Sequence, residues 1–288
     1  MTETRIATDL SIVIPTLGRE CLRQSVRAIA TGSVRPGVIV LSHQGPEGSM
    51  DAMLQEFTQY GVPVQYLRSN QVGKATGQNA GIRAVTTRFF GTTDDDCIVD
   101  ARWVEEIALA LAQHPGEIIT GRVLASAPGA PSVTTFDTPR VYRKFPLEGG
   151  HFTGGNFAAS LQVFNDVGPF DETPLLRFCE DIEWSHRAMA KGYVIRYIPQ
   201  VTITHLHWRD DGDIAKVYSQ YARSQGGWIG RKLRAGDLWF MKLLLFELAR
   251  GSKRWAVGTL RNDHSRKVNG RAFVIDLLRG VGSGCKGQ

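Results

Sequence analysis

Leu10-Ser11-Ile12-Val13-Ile14-Pro15 decides the fold. An almost unbroken apolar run stopped by proline reads as a strand buried on both faces, the pattern of a parallel sheet covered by helices. Working outward, residues 19–30 carry Leu22, Val26 and Ile29 at helical spacing, Val38-Ile39-Val40-Leu41 is a second strand, and 50–60 is a second helix. Val64-Gln65-Tyr66-Leu67 is a third strand, 77–85 a third helix, and Arg88-Phe89-Phe90-Gly91-Thr92-Thr93 a fourth strand. A helix over 103–113 and a strand over 117–123 complete the series. Strands and helices alternating about every 25 residues predict an α/β fold with a doubly wound, Rossmann-like, mostly parallel sheet and helices on both faces. Ligands of such folds sit at the carboxyl ends of the strands, so chemistry is expected in the turns after Pro15 and Thr93.

The second of these turns opens with Asp94-Asp95-Asp96. Adjacent carboxylates repel, and a bound divalent cation relieves the repulsion through hard oxygen ligands. Such a cation, Mn²⁺ or Mg²⁺, is seldom enclosed by protein and also takes phosphate oxygens from a substrate. The alternative is a solvated acidic turn that caps the helix starting near Ala101.

Composition bounds the rest. With 42% hydrophobic and 22% charged residues, the 288-residue chain has material for one large α/β domain or a domain with a helical appendage. Cys21, Cys97, Cys179 and Cys285 include no CxxC pair, which points to a reducing setting and to neither a disulfide framework nor a zinc site. The polar start, residues 1–9, carries no secretory pattern, and no apolar run reaches the roughly 20 residues that cross a bilayer. A cytoplasmic protein, or a peripheral one on the inner face of the membrane, is expected. Residues 1–208 hold 18 Lys and Arg against 21 Asp and Glu, whereas residues 209–288 hold 16 against 7. A near-neutral body with a basic tail suggests chemistry in one part and attachment in the other.

Residues 125–150 are rich in Pro, Gly, Ser and Thr and read as a mobile excursion over the site, ordered by substrate. Beyond it, 156–160, a helix over 182–191, and strand-like 193–198 and 201–204 precede the helical tail. In the tail, Trp239-Phe240-Met241-Lys242-Leu243-Leu244-Leu245-Phe246-Glu247-Leu248-Ala249 is apolar but too short to span a bilayer, and Arg250, Lys253, Arg254, Arg261, Arg266, Lys267 and Arg271 follow. One reading is an interfacial anchor on an anionic membrane surface. The other is a helical subdomain packed on the core or on a second copy in a homodimer. Without a recognition motif, a nucleic-acid partner is not expected.

The order of the motifs is more specific than any one of them. Ile12-Val13-Ile14-Pro15-Thr16-Leu17-Gly18-Arg19 opens the chain, and Asn79-Ala80-Gly81-Ile82 precedes the acid triplet. Gly154-Gly155-Asn156-Phe157, Val167-Gly168-Pro169-Phe170-Asp171-Glu172, Glu180-Asp181-Ile182-Glu183, Gly192-Tyr193, Pro199 and His205 follow. Over about residues 9–208 this order resembles the family-2 inverting glycosyltransferases with the GT-A fold. The resemblance implies a catalytic domain over 1–208, with a nucleotide-sugar half of about 9–124, an acceptor half of about 150–208, and a basic helical region over 209–288. It further implies transfer of a sugar from a nucleoside-diphosphate sugar to the hydroxyl of a glycan or lipid-linked acceptor in cell-surface polysaccharide biosynthesis.

Site residues follow from the same resemblance. Asp94 and Asp96 match the DXD element, whose last acid binds Mn²⁺ or Mg²⁺ and whose earlier acids hold ribose or metal-bound water; Asp95 either joins these substrate contacts or, since adjacent side chains of an extended end point opposite ways, stands behind them. The cation neutralises the departing nucleoside diphosphate. Asp181 matches the general base that takes the acceptor hydroxyl proton, with Glu180 raising its pKa by like-charge repulsion. A helix start favoured by these two acids is the simpler alternative. His205 matches a further metal ligand, with His207 as a possible substitute. Gly154 and Gly155 admit a close ligand, Asn156 bonds sugar hydroxyls, and Trp184 either stacks on an acceptor sugar or packs in the core. Pro15, Thr16 and Asn79 are expected along the substrate site, and Arg19, Arg68 and Lys74 at the diphosphate or uracil. One departure matters: relatives commonly carry an acid after the second strand, and here the segment is Ser42-His43-Gln44-Gly45. Ser42 or Gln44 then reads the base through neutral hydrogen bonds, so a UDP-sugar is favoured while GDP- and dTDP-sugars stay open. Two rival functions are a non-catalytic sugar-nucleotide or glycan-binding module of the same fold and a nucleotidyltransferase. The latter calls for a Gly-rich basic loop after the first strand, which Pro15-Thr16-Leu17-Gly18 is not.

Overall fold

The run from Leu10 to Pro15 lies within β1 (Arg5–Thr16) in a computed structural model that describes residues 5–126, 134–206 and 211–287. Then come α1 (Leu22–Ala30), β2 (Val34–His43), α2 (Asp51–Phe57), β3 (Val64–Arg68), α3 (Lys74–Arg83), β4 (Phe89–Thr93), β5 (Cys97–Val99), α4 (Trp103–Gln113) and β6 (Ile118–Ala125). The chain continues through β7 (Arg140–Tyr142), β8 (Asn156–Ser160), α5 (Leu161–Val167), α6 (Glu180–Ala190) and β9 (Ile195–His205). Helices α7 (Asp211–Arg234), α8 (Trp239–Leu260) and α9 (His264–Lys286) end it. It divides into two compact units: Met1–Phe170 with Trp184–His207, and Asp171–Glu183 with Trp208–Gln288.

The first unit holds one sheet of order β3-β2-β1-β4-β8-β6-β9-β5, with β7 added against β9. From β3 to β4 every pairing is parallel. Beyond β4 the sheet is mixed, since β8 runs antiparallel to β4 and β6, β6 parallel to β9, and β5 and β7 antiparallel to β9. Alternation along β1 feeds two cores. Ile12 and Ile14 join Leu22, Val26, Phe57, Trp103 and Ile107 on one face, and Val13 joins Ile82, Phe164 and Trp184 on the other. Glycine sets how closely α3 rests on β1: a Cβ at Gly81 would overlap Val13, and one at Gly77 would come within 2.9 Å of the Pro15 Cβ.

The described part of 125–150 is built structure. Thr134 bridges to Val123, β7 pairs with β9, and Tyr197 donates to the Phe136 carbonyl at 2.8 Å. Residues 127–133 lie outside the described residues. β5, three residues long, and α5 were too short for periodicity to announce, α3 begins at Lys74 instead of Gly77, and the two strand-like stretches after 193 are the single strand β9.

In the second unit α7 and α9 meet backbone to backbone. A Cβ at Gly226 or Gly230 would overlap the carbonyls of Leu277 or Val281, and one at Gly280 or Gly284 those of Arg223 or Gly227. Trp228 of α7 packs edge-on against Phe240 of α8 at 4.8 Å. No described helix is long and apolar enough to cross a membrane.

In the first unit, His151 sits buried at 2% exposure between Tyr142, Phe145 and α6, its Nε2 3.1 Å from Ser185 Oγ. Burial, with a smaller push from His186, lowers its pKa to about 4 from 6.5. The unfolded chain therefore binds a proton that the folded one refuses, and stability falls as pH drops from 6.5 towards 4. The full effect is roughly 3 kcal/mol. Urea unfolding across this range is expected to give a steeper loss for the native protein than for His151→Gln; parallel pH profiles would show that His151 is protonated in the fold.

Candidate active site

β1 ends at Thr16, β4 at Thr93 and β9 at His205, and the acid triplet forms the turn from β4 into β5. Asp95 is the buried centre of that turn, 1% exposed. Its carboxylate accepts from Thr16 Oγ1 at 2.7 Å and is gripped by the Arg19 guanidinium, while its backbone carbonyl accepts from Ser25 Oγ at 2.9 Å. Burial pushes the Asp95 carboxyl above its ordinary value, against the pull of Arg19 and Thr16. Burial also opposes the Arg19 charge, but its bond to Asp95 and the charges of Asp95 and Asp96 hold its pKa above the usual value.

The flanking acids have different partners. Lys74, at the start of α3, donates to Asp94 Oδ2 at 2.7 Å. Asp96 has Arg19 at 3.4 Å on one oxygen and His205 Nε2 3.7 Å from the other. His205 Nδ1 lies 3.0 Å from the Leu206 carbonyl oxygen, which only accepts, so Nδ1 donates there and Nε2 is the nitrogen that faces Asp96. Cys97 opens β5 directly opposite His205 in the antiparallel register, and its thiol donates to Asp96 Oδ1 at 3.8 Å. Burial, reinforced by Asp94 and Asp96, pushes the Cys97 thiol well above its ordinary pKa. Ligand atoms of Asp96, Cys97 and His205 lie within 4.8 Å of one another. Carboxylate oxygen, imidazole nitrogen and thiol sulfur brought this close are a donor set that fits a divalent cation.

The loop before β8 closes against this turn. Gly154 O accepts from Gln78 Nε2 at 2.5 Å and from Thr92 Oγ1 at 2.9 Å, and a Cβ at Gly155 would overlap Asp94 Oδ2. Thus Thr16, Arg19, Lys74, Asp94, Asp95, Asp96, Gly154, Gly155 and His205 gather around one turn. Pro15 is buried beneath Gly77 of α3, and Arg68 pairs at the surface with Glu47 at 3.4 Å.

Several expected ligand contacts are structural instead. Trp184 is fully buried among Phe152, Phe157, Phe164 and Phe170, and its Nε1 donates to the Gly168 carbonyl, so it offers no face to a sugar. Asn156 is equally buried; it accepts from Trp103 Nε1 and donates to the carbonyls of Arg122 and Val201, which ties β8 to β6 and β9. Asn79 brackets the Phe170 peptide at 2.9 Å on both sides. Gln44 donates to the carbonyls of Gln71 and Gly73, which fixes the turn into α3 and leaves its amide no donor for a base. Ser42 is buried, and its Oγ has no hydrogen-bond partner among the described residues.

Glu180 and Asp181 belong to the second unit, at the start of α6. Asp181 Oδ1 accepts the N–H of Ile182 at 2.8 Å, and Glu180 is buried. His207 lies outside the described residues. Cys97 is the group the cysteine reading set apart from metal chemistry. Its neighbour in sequence, Asp96, was the available signal, whereas its pairing with His205 follows only from the register of β5 on β9.

A sequence profile described as Glycosyl transferase family 2 matches residues 11–167, a region that ends before Asp181 and His205. No curated protein matches the chain. Among solved structures, S. aureus TarS 1–349 in complex with UDP-GlcNAc is 12% identical, with 97% of this chain and 92% of that one covered and a TM-score of 0.59. The chain spans 39% of a longer TarS chain, at 13% identity, 74% of its own length and a TM-score of 0.53. The mannosyltransferase PcManGT from Pyrobaculum calidifontis, in complex with GDP-Man and Mn²⁺, is 12% identical over 96% of this chain and 86% of that one, with a TM-score of 0.61. At these identities the likeness establishes the GT-A fold.

Because Gly155 has no Cβ to meet Asp94, Gly155→Ala must displace either the acid or the loop. Overpacking by one methyl costs on the order of 1–3 kcal/mol. Urea unfolding of Gly155→Ala is expected to show this loss of stability, with far-UV circular dichroism unchanged. Native stability in the variant would show that the loop does not press on Asp94.

Proposed function

Because the chain belongs to glycosyl transferase family 2, we propose that it moves a sugar from a nucleoside-diphosphate sugar to an acceptor hydroxyl with inversion at the anomeric carbon. The meeting of the distant His205 with the turn of Asp94 and Asp96 at the strand ends is the observation that carries this reading. Asp96 and His205, with Asp94, would hold a divalent cation. When bound, that cation supplies positive charge against the diphosphate leaving group.

The remaining roles fall to the chain's own groups. Lys74 and Arg19 bring cationic donors to the same turn, suited to diphosphate oxygens. Gly154 and Gly155 let backbone approach the donor sugar. Asp181 takes the acceptor hydroxyl proton as that oxygen attacks, a role its place at a helix start favours by fixing its backbone. TarS with UDP-GlcNAc and PcManGT with GDP-Man and Mn²⁺ support a nucleotide-sugar donor and a metal, and leave both UDP- and GDP-sugars admissible. The test is a thermal-shift panel of nucleoside diphosphates with and without Mn²⁺, joined to Asp181→Asn. Expected are a Mn²⁺-dependent shift with one diphosphate, kept in the variant, and transfer reduced by at least about a hundredfold. Native turnover in Asp181→Asn would remove it as the base, and a panel without any shift would favour a function outside nucleotide-sugar transfer.

The acceptor is proposed to be lipid-linked, reached from an anionic membrane surface. Leu238, Leu245 and Leu260, 76%, 60% and 85% exposed, lie on or beside α8 together with exposed Lys242, Lys253 and Arg254. Apolar side chains among cations suit the headgroup boundary. Co-sedimentation with phosphatidylserine vesicles is expected, weakened by Leu245→Glu and by salt; equal recovery with neutral vesicles would refute the anionic surface.

A further inference from the structure

The cation site has a soft side. We propose that Cys97 is a ligand, so that Asp96, Cys97 and His205 form a mixed oxygen, sulfur and nitrogen centre that holds borderline divalent cations such as Co²⁺ and Zn²⁺ more tightly than Mg²⁺. The proposal rests on the reading of this turn as the metal site and adds a ligand to it.

Three observations carry it. Cys97 and His205 are direct partners in the antiparallel register of β5 on β9, and opposite residues of such a pair present their side chains on one face. The sulfur already lies 3.8 Å from Asp96 Oδ1, on the same oxygen that sits 3.7 Å from His205 Nε2. All three ligand atoms fit within 4.8 Å of one another, a spread a single cation can bridge. The second shell is in place as well. The Leu206 carbonyl orients the imidazole through Nδ1, and the Leu206 N–H returns to the Asp96 carbonyl at 2.9 Å, which ties the end of β9 to the turn.

Ligand chemistry sets the consequence. Carboxylate alone suits Mg²⁺ and Mn²⁺, imidazole widens the range, and thiolate turns preference towards Co²⁺ and Zn²⁺. Coordination replaces the S–H bond with a sulfur–metal bond, and the proton leaves to solvent, with no redox change. Exposure of Cys97 is only 1%, so the cation comes to the sulfur from the Asp96 and His205 side, and the thiol is poorly placed for other reactions.

Cobalt reports the ligand directly, because a thiolate–Co²⁺ bond gives an intense near-ultraviolet charge-transfer band that oxygen and nitrogen ligands lack. The full chain titrated with Co²⁺ is expected to develop this band with one equivalent, and Zn²⁺ to abolish it. Cys97→Ser, checked for native circular dichroism, should lose the band and weaken Zn²⁺ on the order of tenfold while weakening Mn²⁺ less. Co²⁺ binding, seen calorimetrically, without the band would overturn the sulfur ligand and leave the metal site standing. Absence of any Co²⁺, Zn²⁺ or Mn²⁺ binding would overturn both. A band that survives in Cys97→Ser would assign it to another cysteine and overturn the proposal.

Discussion

The site depends on one ion pair whose acid is buried. Asp95 is closed off from solvent at the centre of the turn between β4 and β5, and the Arg19 guanidinium and Thr16 hydroxyl hold its carboxylate while Ser25 holds its carbonyl. Removing Arg19 leaves the Asp95 carboxylate buried without its cation, which destabilises the turn. The pair therefore couples the end of β1 and the start of α1 to the turn with more force than any exposed contact there. With the middle acid pinned, its neighbours are fixed in turn, Asp94 towards Lys74 and Asp96 towards His205. Asp95 already spends its carboxylate on Arg19 and Thr16, so it sets the geometry of its two neighbours instead of facing a ligand itself.

The parts of this arrangement that sequence disclosed are those with a local pattern. Ile12, Val13 and Ile14 gave β1 and its two-faced burial because both faces of a parallel strand are covered. The triplet drew attention because like charges in a row need a cause. Asn79 and Asn156 misled for a shared reason, and Trp184 took the core alternative: polar or aromatic side chains near a site can be consumed by backbone carbonyls or by the core, and composition does not distinguish the fates. Asn156 spends both amide protons on Arg122 and Val201, contacts set by a sheet whose mixed half has no local signature. Cys97 was hidden in a three-residue strand whose register only the folded sheet defines.

Glycine is the least legible determinant in the chain and acts by the same device in both units. Gly77 and Gly81 lie one turn apart on α3 and let it settle on Pro15 and Val13; without that approach Lys74 at the helix start would not be held where it meets Asp94. In the helical unit Gly226 and Gly230 face carbonyls of α9, and Gly280 and Gly284 face carbonyls of α7. Small residues one turn apart let two helix backbones touch. Hydropathy counts these positions as neutral, so the tail reads from sequence as merely basic and helical.

That packing bears on the two readings of the tail, a membrane anchor or a folded subdomain. The apolar run from Trp239 to Ala249 is not spent on one purpose. Phe240, Leu243 and Leu244 are buried, with Phe240 against Trp228, while Leu238, Met241 and Leu245 are exposed. Helical geometry centres the two sets about a third of a turn apart, so a single run supplies a core face and an outward face. Glycine-mediated contact between α7 and α9 lets the unit cohere with few large core residues, which frees the remaining apolar side chains for the surface. The helices of the tail thus fold on one another through the inner face, and the outer face carries apolar and cationic side chains together.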